Sequence, residues 1–169
     1  MHKIIWLTGL PCSGKTTIAR ALAKRIGAEV LDGDEIRRDA GNKDFSPEGR
    51  ERHMLSVAER AYNLSSKSPV IVSLVSPIRR VRERIKGSYP NVREVWVKCP
   101  LEECIKRDVK GMYRKALAGK IKQFTGISAP YEPPRQSLTV DTSQLGIDEC
   151  VDRIMREYSL MAGGKGKEF

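Results

Sequence analysis

The chain has 169 residues, which suits a single domain with a sizeable hydrophobic core. Its 40% hydrophobic and 31% charged residues are ordinary for a globular protein, and no apolar run has the length of a membrane span. The formal net charge of +10 favours polyanionic partners. Because no helix-turn-helix, zinc-finger or aromatic RNA-binding signature accompanies this charge, we expect small polyanionic substrates, and neither nucleic acid nor a membrane as partner.

The cysteine and histidine content argues against disulfide and zinc chemistry. The four cysteines, Cys12, Cys99, Cys104 and Cys150, include no CxxC pair, and the two histidines lack zinc-type spacing. We therefore interpret Cys12 and Cys150 as free thiols and expect no disulfide framework. Since the N-terminus also lacks a signal-peptide pattern, we expect a cytoplasmic protein.

The strongest motif follows the first predicted strand. Residues 3–8 form an apolar, β-branched run typical of a buried parallel strand, and apolar residues recur at helical spacing over 16–26. Between them, residues 9–16 (GLPCSGKT) satisfy the pattern G-x-x-x-x-G-K-[ST]. A strand before this motif and a helix after it are the context of a nucleotide-binding P-loop.

The P-loop motif predicts how the phosphates of ATP and a magnesium ion bind. Gly9 and Gly14 allow the loop to turn its backbone N–H groups toward a polyphosphate, at the positive end of the following helix. Lys15 would reach the β- and γ-phosphates, and the Thr16 hydroxyl would ligate Mg²⁺. The predicted ATP-binding residues of the loop are Gly9, Leu10, Pro11, Cys12, Ser13, Gly14, Lys15, Thr16 and Thr17.

A second strand, predicted over 29–31, leads into Asp32-Gly33-Asp34. Acids just past a strand fall at the carboxyl edge of a parallel sheet, where ligands bind. One carboxylate would then hold Mg²⁺ through water, and the other would accept a proton from a substrate hydroxyl. The alternative is a tight turn with a helix N-cap, since aspartate suits both.

The next helix has a clear start signal. Residues 36–44 are polar and predicted to be irregular, after which Ser46 is the predicted N-cap and Pro47 the first helical residue. This helix runs to about Ser65. Phe45, just before the cap, is typical of a hydrophobic staple against the first turn. The residues alone leave a packing role and a functional role for Phe45 equally open.

The third strand and the helix after it differ sharply in polarity. Residues 69–75 are apolar enough for a strand buried on both faces, and Ser76-Pro77 ends it. The helix predicted at 79–85 carries the charge run RRVRERI, which is usually a solvated helix face. Arg79 lies nearest the strand end, so we expect this arginine to be the one closest to a ligand.

The second half of the chain contains a predicted lid. After a fourth strand at 94–97, residues 107–125 (the lid segment) combine positive charge, glycine breaks and aromatics. In a P-loop kinase this composition suits a mobile lid that closes over phosphates; an ordinary amphipathic helix pair is the alternative. The other predicted elements are helices at 101–109 and 112–118, a proline-rich loop at 130–136, a strand at 138–140 and a helix at 147–161.

The alternation of strands and helices predicts an α/β fold of the P-loop NTPase, nucleotide-kinase-like type. A five-stranded parallel sheet would lie between two helical layers. We expect residues 1–162 to form one kinase domain and residues 163–169 to be a disordered tail. The chain lacks both the apolar run ending in Asp that motors and GTPases use for Mg²⁺ and the N-K-x-D guanine signature. Small size with a lid favours a nucleotide or metabolite kinase.

Several segments together resemble the adenylyl-sulfate kinases (APS kinases), P-loop enzymes that phosphorylate the 3′-hydroxyl of adenosine 5′-phosphosulfate. The resemblance runs over about residues 3–155, in the family's order, and these pieces together are specific where the P-loop alone is not. The matching pieces beyond the P-loop are Leu31-Asp32-Gly33-Asp34 with Ile36-Arg37, Phe45-Ser46-Pro47-Glu48 with Arg50, Val75-Ser76-Pro77 with Arg79, Cys99-Pro100-Leu101-Glu102, Arg107-Asp108-Val109-Lys110-Gly111, Ile121-Lys122 with Phe124-Thr125-Gly126-Ile127, and Pro130-Tyr131-Glu132.

The resemblance implies in-line transfer of the γ-phosphoryl group of Mg-ATP, driven by positioning and charge neutralisation. Asp34 would be the base at the acceptor 3′-hydroxyl, with Arg37 beside it on the sulfated nucleotide. Asp32 would help to organise Mg²⁺, and Arg107 would lie near the adenine of ATP. The family also suggests a homodimer.

On the acceptor side, the resemblance implies that Phe45 and Phe124 sandwich the adenine, which replaces the staple interpretation of Phe45. Some relatives carry a phosphate, as an intermediate or an artefact, on the serine at the position of Ser76. Ser76 is included with Lys15, Asp34 and Arg37 among the catalytic candidates that the resemblance implies, although such a phosphate does not by itself assign it a catalytic role. The other acceptor-side residues are Arg50 and Lys110, which would neutralise the phosphosulfate and the transferring phosphate, and His53, Val75 and Gln123, which would line the site.

Four positions depart from the family pattern, mostly on the acceptor side. An acceptor-contacting Asn is His53 here, the Asp before Arg50 is Gly49, the Tyr after Ser-Pro is Ile78, and the Gly before Phe124 is Gln123. His53 would act as a neutral donor in place of Asn, or would accommodate a group other than sulfate. The open alternatives are a kinase of the same scaffold for another nucleotide conjugate or small alcohol, and a nucleic-acid-associated P-loop module whose basic surface does the work.

Overall fold

A computed structural model describes residues 1–160. The tail predicted at 163–169 and the last residue of the predicted final helix, Met161, lie outside the described residues. In chain order the elements are β1 (Ile4–Thr8), α1 (Lys15–Ile26), β2 (Glu29–Asp32), α2 (Gly33–Asp39), α3 (Pro47–Leu64), β3 (Val70–Ser73), α4 (Arg79–Ser88), β4 (Val92–Lys98), α5 (Leu101–Arg107), α6 (Met112–Leu117), β5 (Leu138–Asp141) and α7 (Ile147–Glu157).

The five strands form one parallel sheet in the order β2-β3-β1-β4-β5. β1 is central and all five of its residues are buried, as its apolar composition predicts. Because parallel strands end at the same edge, the segments that follow β1, β2 and β3 meet at the carboxyl edge of the sheet. The predicted α/β fold with a five-stranded parallel sheet is confirmed.

Helices cover both faces of the sheet. The alternate residues of β1 point to opposite faces: Ile4 and Trp6 pack with α3 and α4, whereas Ile5 and Leu7 pack with α1 and α7. A third, smaller cluster packs Tyr113 and Phe124 of the lid segment against Cys99 and Cys104. The two large cores make the sheet a rigid platform for the loops at its carboxyl edge.

The structure corrects the irregular region predicted at 36–44, because Gly33–Asp39 forms α2. Its N-cap is Asp32, whose carboxylate accepts hydrogen bonds from the N–H groups of Asp34 at 2.9 Å and Glu35 at 3.3 Å. A capping aspartate satisfies amides that have no partner inside a helix. The N-cap alternative for Asp-Gly-Asp therefore describes Asp32 correctly.

The start of α3 confirms the capping prediction. Pro47 is its first residue, and the Ser46 hydroxyl accepts a hydrogen bond from the Gly49 N–H at 3.0 Å. The staple interpretation of Phe45 is wrong, since its side chain is 46% exposed and the fourth helical residue, against which a staple would pack, is Arg50. The ring is therefore available for another contact.

Two arginines of α4 are less exposed to solvent than the charge run predicted. Arg82 is only 2% exposed, although the pattern predicted a solvated face. Arg79, predicted to lie closest to a ligand, instead donates through its Nε to the carbonyl oxygen of Pro133 at 2.8 Å. Two of the arginines in this helix thus serve internal contacts.

The described residues, 1–160, bear on two further features of the chain, membrane-spanning helices and cysteines. Over this range no helix combines the length and apolar content needed to cross a membrane. Cys12 and Cys150 are free thiols, as predicted, and so are Cys99 and Cys104.

Candidate active site

The phosphate loop connects the end of β1 to the start of α1. Gly9 passes so close to β4 that a Cβ at this position would collide with the carbonyl oxygen of Val97. Gly14 has φ +101°, a backbone conformation that side chains disfavour. The backbone of the loop therefore requires both glycines of the motif.

The first amide groups of α1 are open to a ligand. No side chain among the described residues caps this helix, and its first turn contains no acid. Cys12, in the loop ahead of it, adopts a left-handed conformation with φ +62°. An uncapped helix N-terminus behind a glycine-rich loop attracts phosphate through its N–H groups and its dipole.

Lys15 folds back across the loop. Its Nζ donates hydrogen bonds to the carbonyl oxygens of Gly9 at 3.0 Å and Leu10 at 2.7 Å. Burial lowers the pKa of Lys15 from 10.5 to about 8, and the nearby Asp34 carboxylate acts in the opposite direction. The hydrogen-bond partners of the amine among the described residues, which include the Ser13 hydroxyl at 3.5 Å, are neutral groups that phosphate oxygens would outcompete.

Thr16 and Asp32 meet beside the loop. The Thr16 hydroxyl donates a hydrogen bond to Asp32 Oδ2 at 2.8 Å and lies 3.1 Å from the Ser73 hydroxyl. Asp32 therefore uses one oxygen to cap α2 and the other to contact Thr16. Ser73 was not among the predicted site residues, and its position at the carboxyl end of β3 was the only signal for it.

These oxygens fit a magnesium ion that keeps part of its water shell. Mg²⁺ prefers oxygen ligands and is commonly held by one or two protein groups together with substrate phosphates and waters. Residues 1–160 contain no group of three or more His, Cys, Asp or Glu side chains that could hold a metal. Thr16 and Asp32 therefore suit magnesium held jointly with a nucleotide, and not a metal held by protein alone.

Asp34 and Arg37 lie on α2 at the same sheet edge. The Asp34 side chain is 75% exposed, and its Oδ2 lies 3.7 Å from Lys110 Nζ of the lid segment. Arg37 is buried, donates to the Asp44 carbonyl oxygen at 2.8 Å, and lies 4.6 Å from the centre of the Phe45 ring. The candidate base is thus open to a ligand, while Arg37 orders the loop that carries Phe45.

Arg50 joins the two segments that carry the aromatic candidates. Its Nε donates to the Phe45 carbonyl oxygen at 2.8 Å, its Nη1 to the Thr125 hydroxyl at 2.8 Å, and its Nη2 to the Gln123 carbonyl oxygen. Phe124 lies between these two lid residues in the sequence. The structure therefore connects the backbone around Phe45 to the backbone around Phe124 through one guanidinium group.

Tyr113, which the sequence did not mark as functional, anchors the lid segment to the phosphate loop. It is fully buried on α6, and its hydroxyl donates to the carbonyl oxygen of Pro11 at 2.8 Å. Its ring packs edge-on against Phe124, with the centroids 5.0 Å apart. Only its place in the predicted helix at 112–118 indicated burial.

Arg107 lies where the lid segment begins. Its guanidinium donates to Thr142 Oγ1 at 3.1 Å and to the Thr142 carbonyl oxygen at 2.9 Å. The Thr142 hydroxyl in turn donates to the carbonyl oxygen of Ser13 at 2.7 Å. Arg107 is thus linked to the phosphate loop through Thr142, a residue that belongs to no motif and was not predicted.

His53 is buried on α3. It is 6% exposed, and its Nε2 has no hydrogen-bond partner within the described part of the chain. Burial, reinforced by the charge of Arg37, lowers the pKa of His53 from 6.5 to about 4, against smaller opposing effects of the Gly33 backbone and Asp34. The imidazole is therefore neutral near physiological pH, with one ring nitrogen unsatisfied.

The surroundings of Ser76 argue against a catalytic role. The residue is 1% exposed, and its Oγ accepts a hydrogen bond from Trp6 Nε1 at 2.9 Å. The neighbouring Val75 carbonyl oxygen accepts a hydrogen bond from the Thr8 hydroxyl at 2.8 Å. Both groups hold the turn after β3 in place, so the hydroxyl of Ser76 serves the fold in this conformation.

Gly49, where the family pattern has Asp, lies against the side chain of Asp44. A Cβ at Gly49 would collide with the Asp44 carboxylate. That carboxylate accepts hydrogen bonds from the Ser46 N–H at 3.0 Å and the Ser46 hydroxyl at 2.6 Å, and it pairs with Arg52 at 2.7 Å. Asp44 therefore occupies the space beside Gly49.

A phosphate loop of this form, at the carboxyl edge of a five-stranded parallel sheet and beneath a basic lid segment, places the protein among the P-loop kinases. Comparison with known families narrows that class. The family model for adenylylsulphate kinase matches residues 1–141. The chain therefore belongs to the adenylylsulphate kinase family.

Individual relatives agree with this assignment. The chain is 41% identical to the probable adenylyl-sulfate kinase of Halalkalibacterium halodurans, over 96% of this chain and 85% of the relative. It is 44% identical to the probable adenylyl-sulfate kinase of Pseudomonas aeruginosa, over 92% of this chain and 77% of the relative. Among solved structures, it resembles the Mycobacterium tuberculosis APS kinase in complex with AMPPNP and APS, with a TM-score of 0.87 at 30% identity, over 94% of this chain and 98% of that one.

Proposed function

We propose that the protein is an adenylyl-sulfate kinase, which transfers the γ-phosphate of ATP to the 3′-hydroxyl of adenosine 5′-phosphosulfate and releases 3′-phosphoadenylyl sulfate and ADP. The observation that carries the proposal is the exposed Asp34 carboxylate, which lies 3.7 Å from Lys110 Nζ of the lid segment and acts on the pKa of Lys15 in the phosphate loop. The family membership supports the same activity.

ATP would bind with its phosphates against the open amides of α1 and the phosphate loop. Lys15 would exchange the carbonyl oxygens of Gly9 and Leu10 for phosphate oxygens, which favour its charged form. Because the charge on the transferring group is spread over its oxygens in the transition state, a fixed ammonium group at this place stabilises that state. Lys15 would thus act in transfer as well as in binding.

Thr16 and Asp32 would hold Mg²⁺ together with the nucleotide. The metal ion would neutralise charge on the β- and γ-phosphates. Since Asp32 also caps α2, its carboxylate is fixed before any ligand arrives. Asp32 thereby connects the proposed magnesium-binding residues to α2, the helix that carries Asp34.

Asp34 would accept the proton of the acceptor hydroxyl. A base needs hydrogen-bond reach to that proton, and the carboxylate is free to approach a ligand because it is 75% exposed. Lys110 of the lid segment would then neutralise the phosphate that is being transferred. Arg37, buried behind Asp34, would hold the loop that contacts the acceptor.

The acceptor adenine would stack between Phe45 and Phe124. An aromatic base gains from stacking whatever its hydrogen-bonding edge. The exposed Phe45 ring and the connection made by Arg50 between the two aromatic segments support this arrangement. Arg50 would also lie close enough to the site to neutralise the phosphosulfate.

The test is coupled release of ADP with Mg-ATP and a panel of acceptors: adenylyl sulfate, AMP, CMP and small alcohols. Turnover with adenylyl sulfate alone is the expected result. Turnover with another acceptor, and none with adenylyl sulfate, would refute the proposed acceptor. The assignment of the ATP site would then still stand. Salt-dependent binding of a polynucleotide without any kinase turnover would favour a nucleic-acid module instead.

A second acceptor class is favoured by one observation, the unsatisfied Nε2 of buried His53. A neutral imidazole in place of the family's amide would suit an acceptor with different polar groups, such as another nucleotide conjugate. The acceptor panel distinguishes the two possibilities directly. A homodimer and a cytoplasmic location also remain part of the proposal.

A further inference from the structure

Arg82 lies on α4, outside the residues assigned to ATP or acceptor. Its Nε donates to Glu94 Oε1 at 2.7 Å, and both side chains are almost completely buried. Glu94 also pairs with the half-buried Lys86 at 2.6 Å. A buried arginine requires such a carboxylate, because an unpaired charge in the interior is costly. The carboxylate accounts for only one edge of the guanidinium group.

The remaining nitrogens of Arg82 bind two backbone segments. Nη1 donates to the carbonyl oxygen of Ser76, in the turn after β3, and Nη2 donates to the carbonyl oxygen of Glu132 at 2.5 Å. The guanidinium also lies 5.7 Å from the centre of the Tyr131 ring. One planar group thus connects the turn after β3 to the chain that follows the lid segment.

The strap, residues 131–133, is bound by three further hydrogen bonds, one to Pro77 and two to Arg79, the first residue of α4. The Glu132 N–H donates to the Pro77 carbonyl oxygen at 3.0 Å, and its carboxylate accepts from the Arg79 N–H at 2.7 Å. The Arg79 Nε donates to the carbonyl oxygen of Pro133. The chain that carries Phe124 is therefore fixed at a point a few residues beyond the ring.

We propose that Arg82 is a positioning residue for acceptor binding, which fixes the strap, and with it the segment that carries Phe124, against the turn at Ser76. The inference rests on the proposed function, because it concerns the acceptor side of that site. Ser76 has φ +47°, a sparsely populated conformation that persists only where its surroundings hold it. The guanidinium grips the carbonyl group of this residue and so maintains the turn.

Arginine is required at this position because the contact depends on a fork of donors. A guanidinium reaches three acceptors in one plane, whereas the ammonium of lysine is a point charge on a flexible stem. Lysine at 82 would keep a charge for Glu94 but would not bind both the Ser76 and Glu132 carbonyl groups. The strap would then shift, whereas the phosphate loop keeps its own anchors, the hydrogen bonds of Tyr113 to Pro11 and of Thr142 to Ser13.

The kinetic test compares Arg82→Lys with Arg84→Lys, a control on the same helix whose side chain is 64% exposed. Since misplacement by about 1 Å costs up to ~100-fold in an enzyme, we expect Arg82→Lys to raise the KM for adenylyl sulfate about tenfold. The KM for ATP should change less than about twofold, and the control should match the wild type. A fall in kcat with both KM values unchanged would assign Arg82 a merely structural role and overturn the proposal.

A double variant separates positioning from stability. Arg82→Leu with Glu94→Leu replaces the buried ion pair by apolar groups, an exchange that proteins often tolerate, but it still frees the two carbonyl groups. We expect the same rise in the acceptor KM in a protein that still unfolds cooperatively, with a melting temperature lowered by the two freed carbonyl groups and by the loss of the Glu94 partner of Lys86. A normal acceptor KM in a folded double variant would contradict the inference.

Hydrogen exchange gives a readout that does not depend on activity. The Glu132 amide, bound to Pro77 in the wild type, should exchange faster in both Arg82 variants, while amides of β1 keep their protection. Unchanged exchange at Glu132 would overturn the positioning role. If the wild type fails to phosphorylate adenylyl sulfate, the proposed function fails, and the exchange data still decide whether Arg82 fixes the strap.

Discussion

The buried His53 provides the sharpest link between acceptor binding and stability. Its Nε2 has no hydrogen-bond partner among residues 1–160 and lies in surroundings that disfavour the charged ring. An unsatisfied polar group in the interior costs about 1–3 kcal/mol, whereas an apolar replacement of similar shape is close to neutral or stabilising. We therefore expect His53→Leu to unfold at the same or a slightly higher urea concentration than the wild type near neutral pH.

The pH dependence of the same variant follows from the pKa of His53. In the unfolded chain the ring takes up a proton below its usual 6.5, whereas burial keeps it neutral in the folded protein until about 4. The folded state is therefore most favoured above pH 6.5 and loses stability as pH falls toward 4, by roughly 3 kcal/mol from this group. His53→Leu should lack that loss, so its advantage over the wild type should grow on acidification.

His53→Leu should weaken acceptor binding, although it does not destabilise the fold. If Nε2 finds its missing partner on the acceptor, His53→Leu loses one hydrogen bond worth about 1 kcal/mol, which raises the acceptor KM about fivefold. His53→Asn is the matched control, since its amide keeps a polar group at this position and should retain acceptor affinity. Urea unfolding at several pH values and steady-state kinetics measure both effects. Parallel stability curves for wild type and His53→Leu would refute the buried neutral histidine, and an unchanged acceptor KM would refute the contact.

Four further variants test the other residues of the site. Lys15→Met should lower kcat by about 100- to 1,000-fold in a protein that remains folded by circular dichroism, because it removes a charge that acts in the transition state; near-normal turnover would exclude Lys15 from the reaction. Phe45→Ala should raise the acceptor KM about tenfold or more with little change in the KM for ATP, since stacking contributes about 1–3 kcal/mol per base. Arg107→Ala should instead raise the KM for ATP with little change in the acceptor KM. Equal effects of either variant on both KM values would argue against its assignment. Asp32→Asn should raise the Mg²⁺ concentration needed for half-maximal activity, because an amide keeps the cap of α2 but lacks the negative charge; an unaltered requirement in a magnesium titration would place the metal elsewhere.

The sequence predicted the features that are encoded locally. The P-loop pattern, the cap at Ser46 and the apolar strands each depend on residues close together in the chain, and the structure has all of them. Asp32 could be given its two possible roles from its neighbours, but only the folded chain shows that one carboxylate reaches both α2 and Thr16. Local patterns therefore predicted the elements, and not the contacts between them.

The missed residues all act over long distances in the sequence. Arg82 looks solvated within its own helix, because the groups that bury it come from β4 and from the strap. Thr142 and Tyr113 likewise bind the phosphate loop from far along the chain. The staple prediction for Phe45 was wrong for a local reason. A staple requires an apolar partner in the first turns of the helix, and the residue at that position is Arg50.

The contact between Gly49 and Asp44 also couples the first turn of α3 to the loop in front of it. A Cβ at position 49 would collide with the Asp44 carboxylate, which Ser46 and Arg52 hold in place. A larger residue at 49 would therefore require the Asp44 side chain to turn away and to give up these contacts. A substitution on the helix would thus act on the loop that carries Phe45.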